Sequence, residues 1–488
     1  MTHVCSSKGF RGTLSSLLLS QVLFFLLGAI SAFQLQPTTL ECTGKDAIER
    51  VCKFHNLVLH GPDIYWITEG GETPSVPKIP MTWVAPEDQH DLDKQLKYAS
   101  MSDLPFNLAH AEVETAKDAI LWHRGGLLMN LAHMMGEMTP TIHGLICQHL
   151  GYCRFAEHKA ENDIQVVFID EGLTNDLGET TRTVSQTWGC LSQKPWIERM
   201  EPQRANKVLV MQTALAGLGP TCRAFGWCSN PDVQRKPMPQ ALMHSFRDRM
   251  CDCMDVNPDA PVQAAIPRVK ILQRGFAVHR SFLNLVDVEE QLKKLQQDLP
   301  FNFHILHNEG LTLKEQAHEF ASADILVGMH GAALTMMMYM PVHSVLIEVM
   351  PFNWNGNHEF YEPLVAALEP MSKLQVRGLD TLTHQQTHLF VDNFKGDPAY
   401  IEMSSDEKLA LLEQGICPER PGHPCGMWWM HESAAALDVF ALEALLKSSI
   451  AEMGQLQHMQ EGHGRRNKVL EGSPAALRHA HSRRRLLY

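Results

Sequence analysis

The 488-residue sequence has no Asn-x-Ser/Thr sequon, no internal repeat and no long low-complexity tract, and its 42 Lys and Arg are outnumbered by 55 Asp and Glu. The absence of repeats leaves ordinary globular domains rather than an array. The formal charge of -13 excludes a general nucleic-acid binder, whose phosphate neutralisation needs a cationic face, so no nucleic-acid partner is expected. The missing sequon removes one mark of a luminal chain without contradicting that location. Metal-binding spacings are scarce too. Cys251-Asp252-Cys253 has one residue between its thiols and no second Cys or His pair nearby, a poor structural-zinc pattern. Asp91-Leu92-Asp93 lies in a polar segment with no strand before it. Neither a metal nor another bound cofactor is expected.

What the chain does contain begins at its N-terminus, where Lys8 and Arg11 precede an uncharged apolar stretch from Leu14 to Phe33. That pattern is a targeting segment, and it sends everything downstream into the secretory lumen. The uninterrupted core Val22 to Ile30 is short for a membrane span, and Ala29-Ile30-Ser31 offers the small residues that a signal peptidase accepts. A cleavable signal peptide and an uncleaved signal-anchor both fit. The expected location is the lumen of the Golgi or endoplasmic reticulum. The chain is a single-pass type II membrane protein if residues 1–33 are kept, and secreted if they are cut. In an oxidising lumen some of the twelve cysteines pair. The close candidates are Cys42 with Cys52, Cys222 with Cys228, and Cys417 with Cys425. Setting Cys5 aside leaves an odd number, so at least one thiol stays free or joins a partner.

With 44% hydrophobic residues the chain can bury two or three domain cores. Residues 34–105, with Pro62, Pro74, Pro77, Pro80 and Pro86, read as a stem and N-terminal extension. Residues 106–245 read as a first Rossmann-like unit. They hold a helical stretch Gly126 to Leu150 broken near Pro140, then apolar runs at Ile164 to Ile169 and Val208 to Val210. Residues 246–400 alternate more strictly. Strands are expected at Val269 to Leu272, Phe303 to Leu306, Ile325 to Gly328 and Val345 to Val349. Helices are expected at Val286 to Leu299, at Thr312 to Ser322 with a Thr312/Glu315 capping box, and at Ala332 to Tyr339. Such crossovers suit a parallel, doubly wound, nucleotide-binding unit. Residues 401–454 end in an amphipathic helix, Asp438 to Ser449, expected to pack back across the first unit, and 455–488 read as a disordered basic tail. The expected class is α/β, with two Rossmann-like domains facing a cleft.

The chemistry gathers where the third strand of the second unit ends, in Gly328-Met329-His330-Gly331-Ala332. A helix starting there offers free N–H groups to a diphosphate, Gly331 lets the backbone approach it, and His330 can donate to it. Arg274 and Arg280 follow the first strand and face the same rim, where they can grip phosphate. Glu348, read as the end of the fourth strand, can accept from ribose hydroxyls.

These residues carry a resemblance. The string Ser322-Ala323-Asp324 through His330-Gly331-Ala332 is followed by Leu334-Thr335, Met340-Pro341, and Ser344 to Glu348 with Pro351. It resembles the signature of glycosyltransferase family 61, which includes protein O-linked mannose and extracellular O-GlcNAc transferases and plant β-1,2-xylosyltransferase. Arg274, Arg280 and Asn284 are similar to that family's Arg-containing loop, and Val51 to Leu57 to its N-terminal cysteine segment. One departure is Met336, which opens a Met336-Met337-Met338 run where the family has Asn. The resemblance implies a GT-B fold, UDP-sugar donors and an inverting reaction. It leads to the expectation of a glycosyltransferase that moves GlcNAc or xylose from a UDP-sugar to a glycoprotein or polysaccharide hydroxyl without a metal. The alternative is a catalytically inert sugar-nucleotide-binding or glycan-binding relative. Inversion needs a general base from across the cleft. Asn130-Leu131-Ala132-His133 through Glu137 resembles the family's Asn-x-x-His-x-x-x-acidic stretch, and its His133 and Glu137 share one helical face. Asp170 and Glu171 are the alternates.

Overall fold

A computed structural model of the chain describes residues 35–45, 49–70, 72–81, 91–108, 110–123, 131, 134–154, 164–170, 186–218, 239–257, 266–275, 280–341, 343–352, 361–368, 375–380, 387–418 and 433–454. The targeting segment, the basic tail, Cys222, Cys228, Cys425, His133 and Glu171 lie outside them. Among the described residues no helix is long and apolar enough to cross a membrane.

The first sheet is built from β1 (Thr39–Thr43), β2 (Val51–His60), β3 (Asp63–Thr68), β4 (Leu96–Ser100), β5 (Glu112–Trp122), β6 (Gln165–Phe168), β7 (Ile197–Glu198) and β8 (Lys207–Gly217). Its order is β4-β3-β2-β8-β5-β6-β7, with β1 paired to β2. The strands β8, β5, β6 and β7 run parallel, whereas β2 is antiparallel to β8, β3 and β1. This corrects the expected division of the chain. Residues 34–105 are not a stem, because β2 is an interior strand with Phe54, Leu57, Val58 and Leu59 buried. Prolines crowd 74–86, but the strands stand on either side of them.

The helical run through Pro140 continues rather than breaks. Wide π-type turns, Met134–Met138 and Ile146–Leu150, flank a helix at Thr139–Leu145, and Pro140 sits in that helix's first turn. There its missing N–H costs little, and the Thr139 hydroxyl donates to the Met134 carbonyl at 2.8 Å.

The second sheet contains β9 (Arg268–Gln273), β10 (Asn302–His307), β11 (Ile325–Met329), β12 (Val345–Met350) and β13 (Gln375–Asp380), all parallel in the order β10-β9-β11-β12-β13. The four expected strands are present, and β13 extends the sheet. Helices Leu285–Asp298 and Leu313–Ala321 fall as expected, and Thr312 and Glu315 form the capping box. Residues Ala332–Tyr339 wind as a tighter 3-10 helix. In it the Met336-Met337-Met338 run is core filling, at most 1% exposed.

Strand alternation divides the sides of this sheet. Ile271, Val327 and Ile347 share a cluster with Leu442, Leu446 and Ile450 of a helix at 439–454. That helix therefore covers the second sheet itself instead of packing across the first unit. On the other side Leu326 and Leu346 join one core with Trp122 and Phe168 of the first sheet. Helix Gln240–Met254 runs through that shared core, so the expected boundary at 245 falls inside a bridging element. It carries two fully buried arginines. Arg247 donates to the carbonyls of Met338 and Met340, both at 2.7 Å, capping the 3-10 helix. Arg249 donates to Cys190 at 2.8 Å, Leu191 at 2.7 Å and Tyr152 at 3.0 Å in the first unit. Charge-assisted bonds of this kind contribute about 1.5–3 kcal/mol each and offset part of the cost of burying the guanidinium groups.

The Cys42–Cys52 disulfide forms as expected, between register partners of β1 and β2. Cys417 is also disulfide-bonded, to a partner outside the described residues. Two further bridges join Cys147 to Cys153, and Cys190 to Cys253 of the bridging helix. Cys251 is buried and is not disulfide-bonded.

Candidate functional site

In chain order the second sheet reads 2-1-3-4-5, so its switch point lies between β9 and β11, where open parallel sheets bind ligands beyond the strand ends. A pocket opens at that place, lined by Leu272, Arg274, Arg280, Met329, His330, Gly331 and Ala333. Arg274 leaves β9 and Arg280 returns toward it. Burial pushes the Arg274 guanidinium below its usual value, and the Glu309 carboxylate acts against that shift. Glu309 also accepts from the Gly275 N–H at 2.8 Å, marking the outer rim.

His330 continues β11 by one rung, its N–H donating to the Val349 carbonyl at 2.7 Å. Gly328 and Glu348 are register partners, and alternation returns His330 to their side of the sheet. The His330 Nδ1 then lies 2.5 Å from Glu348 Oε1, with the two side chains 6% and 1% exposed. A carboxylate on one ring nitrogen fixes the imidazole's tautomer and orientation. The second Glu348 oxygen, Oε2, is buried and has no hydrogen-bond partner among the described residues. Tyr361 packs against His330 and Gly331. Its hydroxyl donates to the Gly331 carbonyl at 2.5 Å, and its ring meets His330 edge-on at 5.8 Å. Burial, then the Glu348 charge, raises its pKa far above the ordinary phenol value, so the hydroxyl stays a donor.

Two glycines make the bend possible by what they lack. A Cβ on Gly328 would stand 2.6 Å from Leu334 Cδ2, so the bare strand end lets the 3-10 helix fold onto it. A Cβ on Gly331 would stand 3.0 Å from Arg280 Nη1, so the guanidinium lies across the bend that follows His330. Ala332 begins the 3-10 helix.

The structure thus gathers Arg274, Arg280, His330 and Gly331 around one pocket, whose lining takes Ala333 and not the expected Ala332, and it corrects two further expectations. Glu348 does not end its strand on an open rim, because β12 runs on to Met350 and buries the carboxylate behind His330. Asn284 does not line the pocket. Its Nδ2 donates to the Leu437 carbonyl at 2.9 Å and its Oδ1 accepts from the Leu437 N–H at 2.8 Å. No sequence signal points to Tyr361, which stands well past β12, just before the helix Glu362–Leu368.

Across the core, Glu137 lies in the π-type turn Met134–Met138, and its side chain is outside the described residues. The same turn puts Met134, Met135 and Met138 into the large shared core that also holds Leu334 and Tyr361. Asp170 follows β6. The Asp91-Leu92-Asp93 string serves the fold: Asp91 pairs with Lys78 at 3.2 Å, and Asp93 accepts from the Ile79 N–H at 2.9 Å. Among the described residues no cluster of three or more His, Cys, Asp or Glu has a metal-binding arrangement.

The second unit is therefore a doubly wound, Rossmann-like domain with cationic and imidazole groups at its switch point. Residues 131–347 match the model of the family Glycosyltransferase 61, in keeping with the resemblance carried by residues 322–348. Over 101 residues the chain is 30% identical to an alpha-1,3-arabinosyltransferase of Oryza sativa subsp. japonica. That match covers 20% of this chain and 16% of that protein.

Proposed function

We propose that the chain is an inverting glycosyltransferase of GT-B type that binds a UDP-sugar in this pocket and passes the sugar to a glycoprotein or polysaccharide hydroxyl. The observation that carries the reading is the meeting of Arg274, Arg280 and His330 at the switch point of a parallel sheet. The family match over 131–347, which holds all three, supports it. In this reading the two guanidinium groups take the diphosphate oxygens. In its doubly protonated form His330, held through Nδ1 by Glu348, donates from Nε2 to the leaving phosphate. Charge developing on the departing UDP is met by fixed cations in a water-poor site, so no metal is needed. Glu137, on the π-type turn of the first unit, removes the acceptor proton. The disulfides suit an oxidising lumen, which agrees with a Golgi or endoplasmic reticulum location and a membrane attachment through residues 1–33.

A UDP-release assay over UDP-GlcNAc, UDP-xylose and UDP-arabinose tests the reading, the last being included because of the rice relative's name. One of them is expected to turn over. His330→Ala is expected to lose UDP binding, whereas Glu137→Gln keeps binding and loses turnover. Normal UDP affinity in His330→Ala would misplace the pocket. Binding of UDP with no turnover of any sugar would make the chain an inert relative.

A further inference from the structure

Arg280 is held by a part of the chain far beyond the family-matched residues. Loop 280–284 is tied on one side to β9, where the Phe282 N–H donates to Gln273 Oε1 at 3.0 Å. On its other side lies the stretch 433–437. The Arg280 N–H donates to the Ser433 carbonyl at 2.5 Å, the Ala435 N–H to Ser281 at 3.0 Å, and the Leu283 N–H to Ala435 at 2.9 Å. The two-bond clamp from Asn284 to Leu437 closes the row. Residues 433–437 thus lie beside the loop as an added strand, with Phe282 bridged in parallel to Ala435.

Arg280 has a φ of 62°, in the left-handed region that costs a residue with a Cβ about 1–2 kcal/mol. Such a conformation persists only where its surroundings over-determine it, and the row of bonds to 433–437 does so. The outcome is a guanidinium lying across Gly331, beside His330. Released from the row, Arg280 returns to ordinary backbone angles, and its Cα–Cβ direction swings away from the bend.

We infer that Asn284 and residues 433–437 are a positioning device for Arg280, so that the C-terminal segment completes the pocket without touching the ligand. The inference rests on reading the pocket as a UDP site. Calorimetric titration of the full chain with UDP tests it through Arg280→Ala, Asn284→Ala and the double variant. Each single change is expected to weaken UDP about tenfold, and the double to bind no worse than Arg280→Ala, because Asn284 acts through Arg280. The loss of melting temperature caused by Asn284→Ala is expected to be the same with or without Arg280, which separates positioning from loosening of the fold. Asn284→Asp keeps the acceptor for the Leu437 N–H and gives the same cycle at a milder level, with a loss of about threefold, should the alanine variant not fold. Additive losses in the cycle, or normal affinity in both Asn284 variants while Arg280→Ala is impaired, would overturn the device and leave the pocket standing. Normal affinity in Arg280→Ala would instead remove the pocket reading, and the device with it.

Discussion

The two ends of the second sheet use similar charged residues for opposite purposes. At the end where its strands begin, Asp324 is fully buried and accepts from the Arg268 backbone N–H at 2.8 Å, from Nε at 2.9 Å and from Nη2 at 2.8 Å. Lys270 reaches Glu319 and, at 2.7 Å, the Ser322 hydroxyl. Each group there is saturated by others of the same fold. At the end where the strands finish, Arg274 is partly buried with no carboxylate bonded to it among the described residues, and Glu348 keeps one buried oxygen without a partner among them. A charge whose partners are all internal stabilises the fold; one kept unsaturated costs stability and is retained for something that arrives.

Matched neutralisations test that contrast most strongly. Asp324→Asn preserves shape but turns an amide toward the donors of Arg268, and it is expected to cost about 3 kcal/mol in urea unfolding while leaving UDP affinity unchanged. Glu348→Gln is expected to do the reverse, costing under about 1 kcal/mol of stability and weakening UDP about tenfold. If the two variants behaved alike, the difference between the ends would be one of appearance only.

Gly331→Ala probes the finishing end more gently. Gly331 has a φ of 163°, extended backbone that alanine also adopts, so the chain pays no conformational penalty. The added methyl must instead displace the Arg280 guanidinium from 3.0 Å. UDP affinity measured by calorimetry is expected to fall about fivefold with the melting temperature nearly unchanged. Normal affinity would show that Arg280 does not depend on the bare bend.

Much of the finishing end was legible in the sequence because its signals are local. Apolar runs of strand length, the Thr312/Glu315 box and the Gly-x-His-Gly bend specify strands, a helix start and a turn without help from distant residues. Long-range pairing hid the rest. The Glu348 carboxylate is turned inward by β-sheet register and by the length of β12, which the apolar run alone underestimates. Asn284 sits in an Arg-containing loop, yet the fold brings Leu437 to its amide. The edge strand β13, Gln-Val-Arg-Gly-Leu-Asp, has too few apolar residues for a periodic signal. Buried Arg247 and Arg249 contradict the usual exposure of arginine and follow only from the carbonyls that two neighbouring units direct at one helix.

The first sheet offers the mildest test, since it has its own saturated cluster but nearer to solvent. Glu114 on β5 accepts from Arg204 Nη2 and from Lys207 Nζ, both at 3.0 Å, and is about one-third exposed. Burial alone would raise its pKa, but the hydrogen bonds from Lys207 and Arg204 more than offset that and hold it below the ordinary carboxylate value. A carboxylate depressed in the folded state gives stability that is fully present above its unfolded value of about 4.3 and is lost as the pH falls through the lowered folded value. Thermal unfolding between about pH 5 and 3 is therefore expected to show a steeper loss in the native chain than in Glu114→Gln, whose curve starts lower and flattens. Solvent screening keeps this difference smaller than the Asp324→Asn effect. Parallel curves would mean that Glu114 gains nothing from its two cations, and that saturation stabilises this fold only where, as at Asp324, water is excluded.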